Sequence, residues 1–153
     1  PMSYEAKLKE MGVEIPVPAK PAAAYEPGVM TDKYIYVSGQ LPVVAGQLQY
    51  KGVVGRDVTV EEAYEAARIC AVNGLAVVKS LVGSLDQVER IVKLEGFVNC
   101  LQEVDYQPKC INGASDFLGE VFGEAGKHAR FAIGTCGLPM NAPVEVGMLV
   151  KVK

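Results

Sequence analysis

The chain has 153 residues, of which 50% are hydrophobic and 22% charged, and 15 Lys and Arg against 18 Asp and Glu give a net charge of −3. This length favours a single domain over residues 1–153, the apolar content excludes a disordered chain, and the acidic balance argues against general nucleic-acid binding. Without a long apolar stretch or a secretory signal pattern, we expect no membrane association and a cytoplasmic protein.

The first 22 residues carry two different patterns. Residues 3–11 (SYEAKLKEM) predict a short helix that ends at Gly12. The next segment contains three prolines within six residues, Pro16, Pro18 and Pro21, and prolines hold a chain extended. We therefore expect an N-terminal helix followed by a strap that lies across a surface.

Three strands are predicted before the middle of the chain. Residues 23–30 form a candidate first strand that closes at a turn over 31–33. Residues 34–38 (YIYVS) combine β-branched and aromatic side chains and are the clearest strand of this region. Residues 47–53 are a candidate third strand after the turn at Gly46.

A long helix is predicted between Thr59 and Gly83. Thr59 and Glu62 have the spacing of a capping box, in which each side chain accepts from the other residue's backbone N–H. We interpret the acidic cluster of Asp57, Glu61 and Glu62 as charges that support this helix start. The inner stripe of the helix is unusually small and would allow a close approach to a sheet: Ala67, Cys70, Ala71 and Gly74.

The second half of the chain predicts three strands and one more helix. Residues 88–100 alternate as a half-buried strand, with Val92, Leu94, Gly96 and Val98 on its inner face. Pro108 marks the first turn of a second core helix, and two further strands cover 130–135 and 144–152. Two helices cover one face of a sheet, which predicts an α+β fold. The opposite face would carry apolar side chains such as Phe97 and Leu149, from which we infer an oligomer.

The residues alone give only weak candidates for chemistry. Arg130 opens a strand after a Gly-rich turn and could hold a carboxylate, while Glu145 is a carboxylate in an otherwise apolar strand. Antiparallel pairing across the turn at 138–141 would bring the two strands together. The four cysteines have no metal-ligand spacing, and His128, the single histidine, is interpreted as a loop residue, so we expect no metal site.

Two motifs together resemble the RidA/YjgF family, formerly described as endoribonuclease L-PSP or translation inhibitors. One is the C-terminal run Ala129-Arg130, Leu138-Pro139 and Val144-Glu145-Val146, and the other is Tyr25 followed by Val37-Ser38-Gly39-Gln40-Leu41-Pro42. The similarity covers residue 21 to the C-terminus and is greatest to a longer subgroup with an N-terminal helical extension.

The resemblance implies a chorismate-mutase-like fold, with one mixed sheet and two helices on one face, in a homotrimer with active sites in the clefts between subunits. It also implies hydrolysis of reactive 2-imino or enamino acids, such as 2-aminoacrylate, to 2-keto acids and ammonia without a metal or organic cofactor. The expected partners are therefore small carboxylate-bearing imines, enamines or keto acids.

The same resemblance assigns roles to individual residues. Arg130 would pair with the substrate carboxylate, and Glu145 would position and deprotonate the attacking water. Gly147 stands where many members carry an acidic residue, which opens space or alters a subunit contact. The remaining residues implied to bind substrate are Tyr25, Ser38, Gly39, Asn112 and the backbone of Ala132.

Three other functions remain open on the sequence. The chain could be a trimer that binds small carboxylic acids without strong catalysis. A ribonuclease or translation inhibitor is less favoured, because the chain is acidic and lacks a basic patch. Rearrangement of a dianion, as in chorismate mutase, would need more cationic groups than Arg130 alone supplies.

Overall fold

The computed structural model describes residues 2–153. Three α-helices and seven strands are found among them. In chain order they are α1 (Tyr4–Glu10), β1 (Gly28–Thr31), β2 (Tyr34–Gln40), β3 (Val43–Val44), β4 (Gln47–Leu48), α2 (Val60–Val82), β5 (Val88–Asn99), α3 (Gln107–Phe122), β6 (Ala129–Thr135) and β7 (Val144–Val152). In this part of the chain no helix combines the length and apolarity needed to cross a bilayer.

Five strands form one mixed sheet in the order β1-β2-β7-β5-β6. Strands β5 and β6 run parallel, whereas the other neighbouring pairs are antiparallel. Helices α2 and α3 pack on one face of this sheet, and β3 and β4 form a separate two-stranded ribbon. The predicted α+β architecture is confirmed.

Helix α2 begins and packs as the sequence predicts. The Thr59 hydroxyl accepts from the Glu62 N–H at 3.0 Å, and the Glu62 carboxylate accepts from the Thr59 N–H at 2.9 Å. The small stripe is buried against the sheet, where a Cβ added at Gly74 would lie 2.5 Å from the Met148 methyl on β7. Small residues therefore set the close approach of this helix to the sheet.

Helix α3 packs against α2 through a glycine. A Cβ added at Gly113 would overlap the backbone carbonyl of Tyr64 on α2, whereas one added at Gly119 of the same helix would meet open space. We therefore expect Gly113→Ala to lower the free energy of unfolding by about 3 kcal/mol, because a backbone contact cannot rotate away. Gly119→Ala should instead raise it by about 0.5–1 kcal/mol. Urea unfolding of both variants tests this, and equal stability of the two would contradict it.

The N-terminal helix is fixed by polar contacts. The Ser3 hydroxyl accepts from the Ala6 N–H at the helix start. The Glu5 carboxylate accepts from the Leu85 N–H at 3.0 Å and pairs with the Lys79 ammonium at 3.1 Å. These bonds to α2 and the following turn hold the pKa of Glu5 below its usual value, although partial burial opposes them.

Three details of the strand prediction are wrong. The first strand begins at Gly28 rather than at residue 23, because the Tyr25 N–H turns back to the Ala23 carbonyl and Pro27 has no N–H. The strand predicted over residues 47–53 is the short β4, which ends at Leu48. On β5 the register shifts between Ile91 and Lys93, so Ile91 instead of Val92 is fully buried.

The sheet face opposite the helices carries apolar side chains with no cover among residues 2–153. Tyr36 is 53% exposed and Ile133 47% exposed, and Phe97 packs edge-to-face on Phe131 with ring centroids 5.4 Å apart. Leu149 lies on β7, between β2 and β5, and is paired with Tyr36 of β2. This is the uncovered apolar face that the element count predicts.

Candidate functional site

The candidate residues fall into two groups on opposite faces of the sheet. Arg130 lies beside Leu94, which is fully buried under the helices, and its Nη1 donates to the Ser115 hydroxyl of α3 at 3.0 Å. Arg130 therefore points to the helix face. Glu145 lies between the fully buried Val144 and Val146, and side chains alternate along a strand. Glu145 therefore points to the uncovered face.

The predicted pairing of the Arg130 and Glu145 strands is wrong. Strand β5 lies between β6 and β7 in the sheet, where it pairs parallel with β6 and antiparallel with β7. Arg130 is level with Leu94, whereas Glu145 is level with Phe97. The two residues are two strand spacings apart across the sheet and three residues apart along it. Their Cα atoms are therefore separated by roughly 14 Å. One chain cannot place both side chains on the same small molecule.

The first group surrounds the Glu145 carboxylate. A Cβ added at Gly39 would overlap this carboxylate, and the register of β2 on β7 shifts between Val37 and Gln40 to admit the glycine. Burial raises the pKa of Glu145 above its usual value. The structure thus brings together two of the predicted residues, a glycine and a half-buried carboxylate with a raised proton affinity.

Ser38 precedes Gly39 on β2 and connects this strand to the segment that holds Tyr25. The Ser38 hydroxyl donates to the Glu26 carbonyl at 2.7 Å and ties β2 to the segment before β1. Tyr25 belongs to that segment and is 58% exposed, outside any strand. Within one chain its side chain is thus accessible rather than enclosed.

The second group surrounds Arg130 in an open recess of about 320 Å³. The recess lies between α3 and the start of β6. Arg130 and Asn112 both line it, so the structure brings these two predicted residues together. Ala132 follows two residues after Arg130 on the same side of β6 and packs against the core.

Five lining residues of the recess were not among the predicted site residues: Ser115, Gly119, Gly126, Lys127 and His128. Ser115 lies three residues after Asn112 on α3, a spacing that places both on one side of a helix. His128, predicted as a loop residue, stands two residues before Arg130 and also lines the recess. Burial, with a smaller contribution from Arg130, lowers the pKa of His128. These spacings were visible in the sequence, but nothing local marked them as part of a site.

The other titratable groups have structural surroundings. The Asp57 carboxylate accepts from the Val53 N–H at 2.8 Å and pairs with Arg56, so it closes a loop rather than supporting the helix start. Cys70 and Cys110 are buried free thiols, and burial raises the pKa of Cys110 to about 12. Among residues 2–153, no three His, Cys, Asp or Glu side chains form a group that could hold a metal ion.

Comparison with known proteins identifies one family for this chain. The family described as "YjgF/chorismate_mutase-like, putative endoribonuclease" matches residues 5–152. Protein TCP17 of Trypanosoma cruzi is 42% identical over 149 residues, which cover 95% of this chain and 92% of that protein.

Solved structures agree with this match. The crystal structure of Atu1372, a protein of unknown function from Agrobacterium tumefaciens, is 45% identical with a TM-score of 0.91 and covers 98% of this chain and 92% of that one. E. coli TdcF with bound serine is 19% identical and shares the fold with a TM-score of 0.65, covering 90% of this chain and 94% of that one. The chain therefore belongs to the RidA/YjgF family, whose fold is chorismate-mutase-like.

Proposed function

We propose that this protein hydrolyses 2-imino or enamino acids to 2-keto acids and ammonia, in a homotrimer whose sites lie between neighbouring copies. One observation carries the proposal: Arg130 and Glu145 lie on opposite faces of the sheet, Arg130 in an open recess and Glu145 half-buried beside Gly39. A site that uses both residues therefore needs two chains.

Arg130 supplies the binding of the substrate carboxylate. An arginine has five N–H donors in a planar fork, and Arg130 uses one of them in its hydrogen bond to Ser115. The bond to Ser115 orients the fork, so the remaining donors can hold a carboxylate through two parallel bonds. The same positive charge stays beside the substrate anion while the reacting carbon becomes tetrahedral.

Glu145 supplies the proton transfer. An imine carbon is already electrophilic, so a water molecule held near it can add without a metal ion or organic cofactor. In this proposal the Glu145 carboxylate takes a proton from that water as the new C–O bond forms. It returns this proton to the nitrogen, which gives a carbinolamine. It then takes the hydroxyl proton of the carbinolamine and passes it to the nitrogen, so that the C=O bond forms as the C–N bond breaks and ammonia leaves. A raised pKa suits a group that must both accept and donate a proton.

The uncovered sheet face supports assembly. A contiguous apolar face is unfavourable on a monomer, and this face carries Tyr36, Phe97 and Ile133 near the strand that bears Glu145. Packing this face on another copy would bury the apolar residues. It would also place Glu145 at a boundary between chains, where Arg130 of a neighbour could face it.

Two other functions have less support. A trimer that only binds small acids would use the Arg130 recess without Glu145, and the serine bound to E. coli TdcF is compatible with binding alone. A ribonuclease, as the family description suggests, would have to bind a polyanion with a chain of net charge −3.

A dehydratase-coupled assay separates these possibilities. A serine or threonine dehydratase releases 2-aminoacrylate or its homologue, and the chain is added while formation of keto acid and ammonia is followed. We expect the chain to accelerate hydrolysis. Saturable binding of a keto acid without acceleration would favour the binding function and contradict the enzyme.

Gly39 offers a specific test of the Glu145 group. Gly39→Ala would place a methyl group in the volume of the Glu145 carboxylate and force it to move. The backbone at Gly39 is not left-handed, so alanine itself is not strained there. We expect imine hydrolysis to fall about 10²-fold, since misplacing a catalytic group by an ångström has an effect of this size. Gly137→Ala, which meets open space, is the matched control. Equal activity of both variants would contradict the assignment.

A further inference from the structure

His128 is a polar group in the Arg130 recess to which the proposed reaction gives no role. It lies two residues before Arg130, and the backbone between them is extended, so both side chains lie on the same side of the chain. Asn112 and Ser115 face them from α3. The recess therefore combines a guanidinium, an imidazole, an amide and a hydroxyl.

The hydrogen bond of the ring fixes its tautomer. His128 Nδ1 lies 3.0 Å from the Ala129 carbonyl oxygen, and a carbonyl can only accept. Nδ1 therefore carries the hydrogen, and in the neutral ring Nε2 is an acceptor. Partial burial and the charge of Arg130 lower the pKa of His128, which favours this neutral form at pH 7.

The surrounding charges leave Nε2 free for a ligand. Lys127 pairs with Glu124, and Arg90 of β5 donates to the Lys127 carbonyl. In the described residues Nε2 has no hydrogen-bond partner, and no buried side-chain nitrogen or oxygen there lacks one. Nε2 is therefore not sealed inside the protein but remains accessible.

We propose that His128 is a second binding residue of the recess, whose Nε2 accepts a hydrogen bond from the substrate nitrogen while Arg130 holds the carboxylate. The ligand class is a 2-amino or 2-imino acid, in which an N–H donor stands one carbon from the carboxylate. This inference rests on the carboxylate-binding part of the proposed function, and it adds selection for nitrogen-bearing acids over plain carboxylic acids.

Calorimetric binding of L-alanine and propionate to the full chain tests the inference without turnover, because the two probes differ only in the amino group. At pH 7.5 the unaltered protein should bind L-alanine about tenfold more tightly than propionate, as expected for a hydrogen bond to a charged donor. His128→Leu should bring the two affinities within about twofold of each other while propionate binding stays unchanged. His128→Gln, which keeps an acceptor oxygen, should recover part of the preference.

The pH dependence separates binding from a structural role. Protonated Nε2 can no longer accept, so the preference for L-alanine should disappear as pH falls through the pKa of His128, which burial holds below its usual value. The leucine variant should show no such change. Unchanged preference in His128→Leu, equal loss of both ligands in it, or no binding of either probe to the unaltered chain would overturn the inference. If the chain shows the expected preference but does not hydrolyse imines, the deaminase function is contradicted and the binding role of His128 still holds.

Discussion

Replacing Arg130 by alanine should lower kcat/KM for imine hydrolysis by about 10²–10³-fold. The change removes two charge-assisted hydrogen bonds to the substrate carboxylate, each worth about 1.5–3 kcal/mol. These bonds exist before and during the reaction, so much of the loss should appear as a raised KM. Arg130→Lys should recover little of the loss, because an ammonium is a point charge and cannot present the fork that Ser115 orients.

The control for this prediction is Arg56→Ala. Arg56 is an exposed arginine that pairs with Asp57, its neighbour in the loop before α2. Its removal changes the net charge by the same amount and should leave kcat/KM within about twofold, because exposed ion pairs contribute little. Full activity of Arg130→Ala, or equal losses in the two variants, would show that Arg130 does not bind the substrate.

Glu145→Gln should lower kcat by about 10²–10⁴-fold, the range expected for loss of a general acid–base group. The glutamine keeps the volume beside Gly39 but cannot take a proton from water. KM should change little, since the carboxylate-binding arginine is untouched. Steady-state kinetics with enzymatically generated 2-aminoacrylate gives both constants, and an unchanged kcat would remove Glu145 from the mechanism.

The same substitution should not weaken the fold at neutral pH. Burial raises the pKa of Glu145, so the folded chain disfavours the carboxylate and its stability falls as pH rises from about 4.5 through the folded pKa. The penalty is complete above the folded pKa. Glu145→Gln should therefore unfold at a higher urea concentration than the unaltered chain at pH 7.5, and the difference should vanish below pH 4.5.

Glu89→Gln provides a control of opposite sign. The Glu89 carboxylate pairs with the Lys151 ammonium at 2.9 Å, which lowers its pKa. This pair contributes stability above pH 4.5 that is lost as pH falls through the folded pKa. Its removal should destabilise slightly at pH 7.5, because both side chains are partly exposed to solvent, which weakens the pair. A loss of stability in Glu145→Gln at neutral pH would contradict the assigned burial of its charge.

The elements that the sequence predicts well depend on neighbours in the chain. Thr59 and Glu62 form a capping box within one turn, and Pro108 starts α3 by its own geometry. The small stripe around Gly74 predicts close packing on a sheet, although it does not identify Met148 as the contact.

The parts that the sequence does not predict depend on distant pairing. The shift that buries Ile91 instead of Val92 follows from the register of β5 on β7. The insertion of β5 between β6 and β7 places Arg130 and Glu145 on opposite faces, whereas the short turn between their strands suggests direct pairing. Ser115 and His128 become part of a site because α3 packs beside β6 and brings them to Arg130.

A site shared between chains is the central claim, and complementation tests it most directly. Arg130→Ala and Glu145→Gln chains are each expected to be nearly inactive. Unfolded together in equal amounts and refolded as mixed trimers, they should recover about one quarter of the unaltered activity, since one site in four then pairs an intact arginine with an intact glutamate. Activity that stays at the level of the separate variants, with mixed assemblies verified by mass spectrometry, would contradict a site built from two chains.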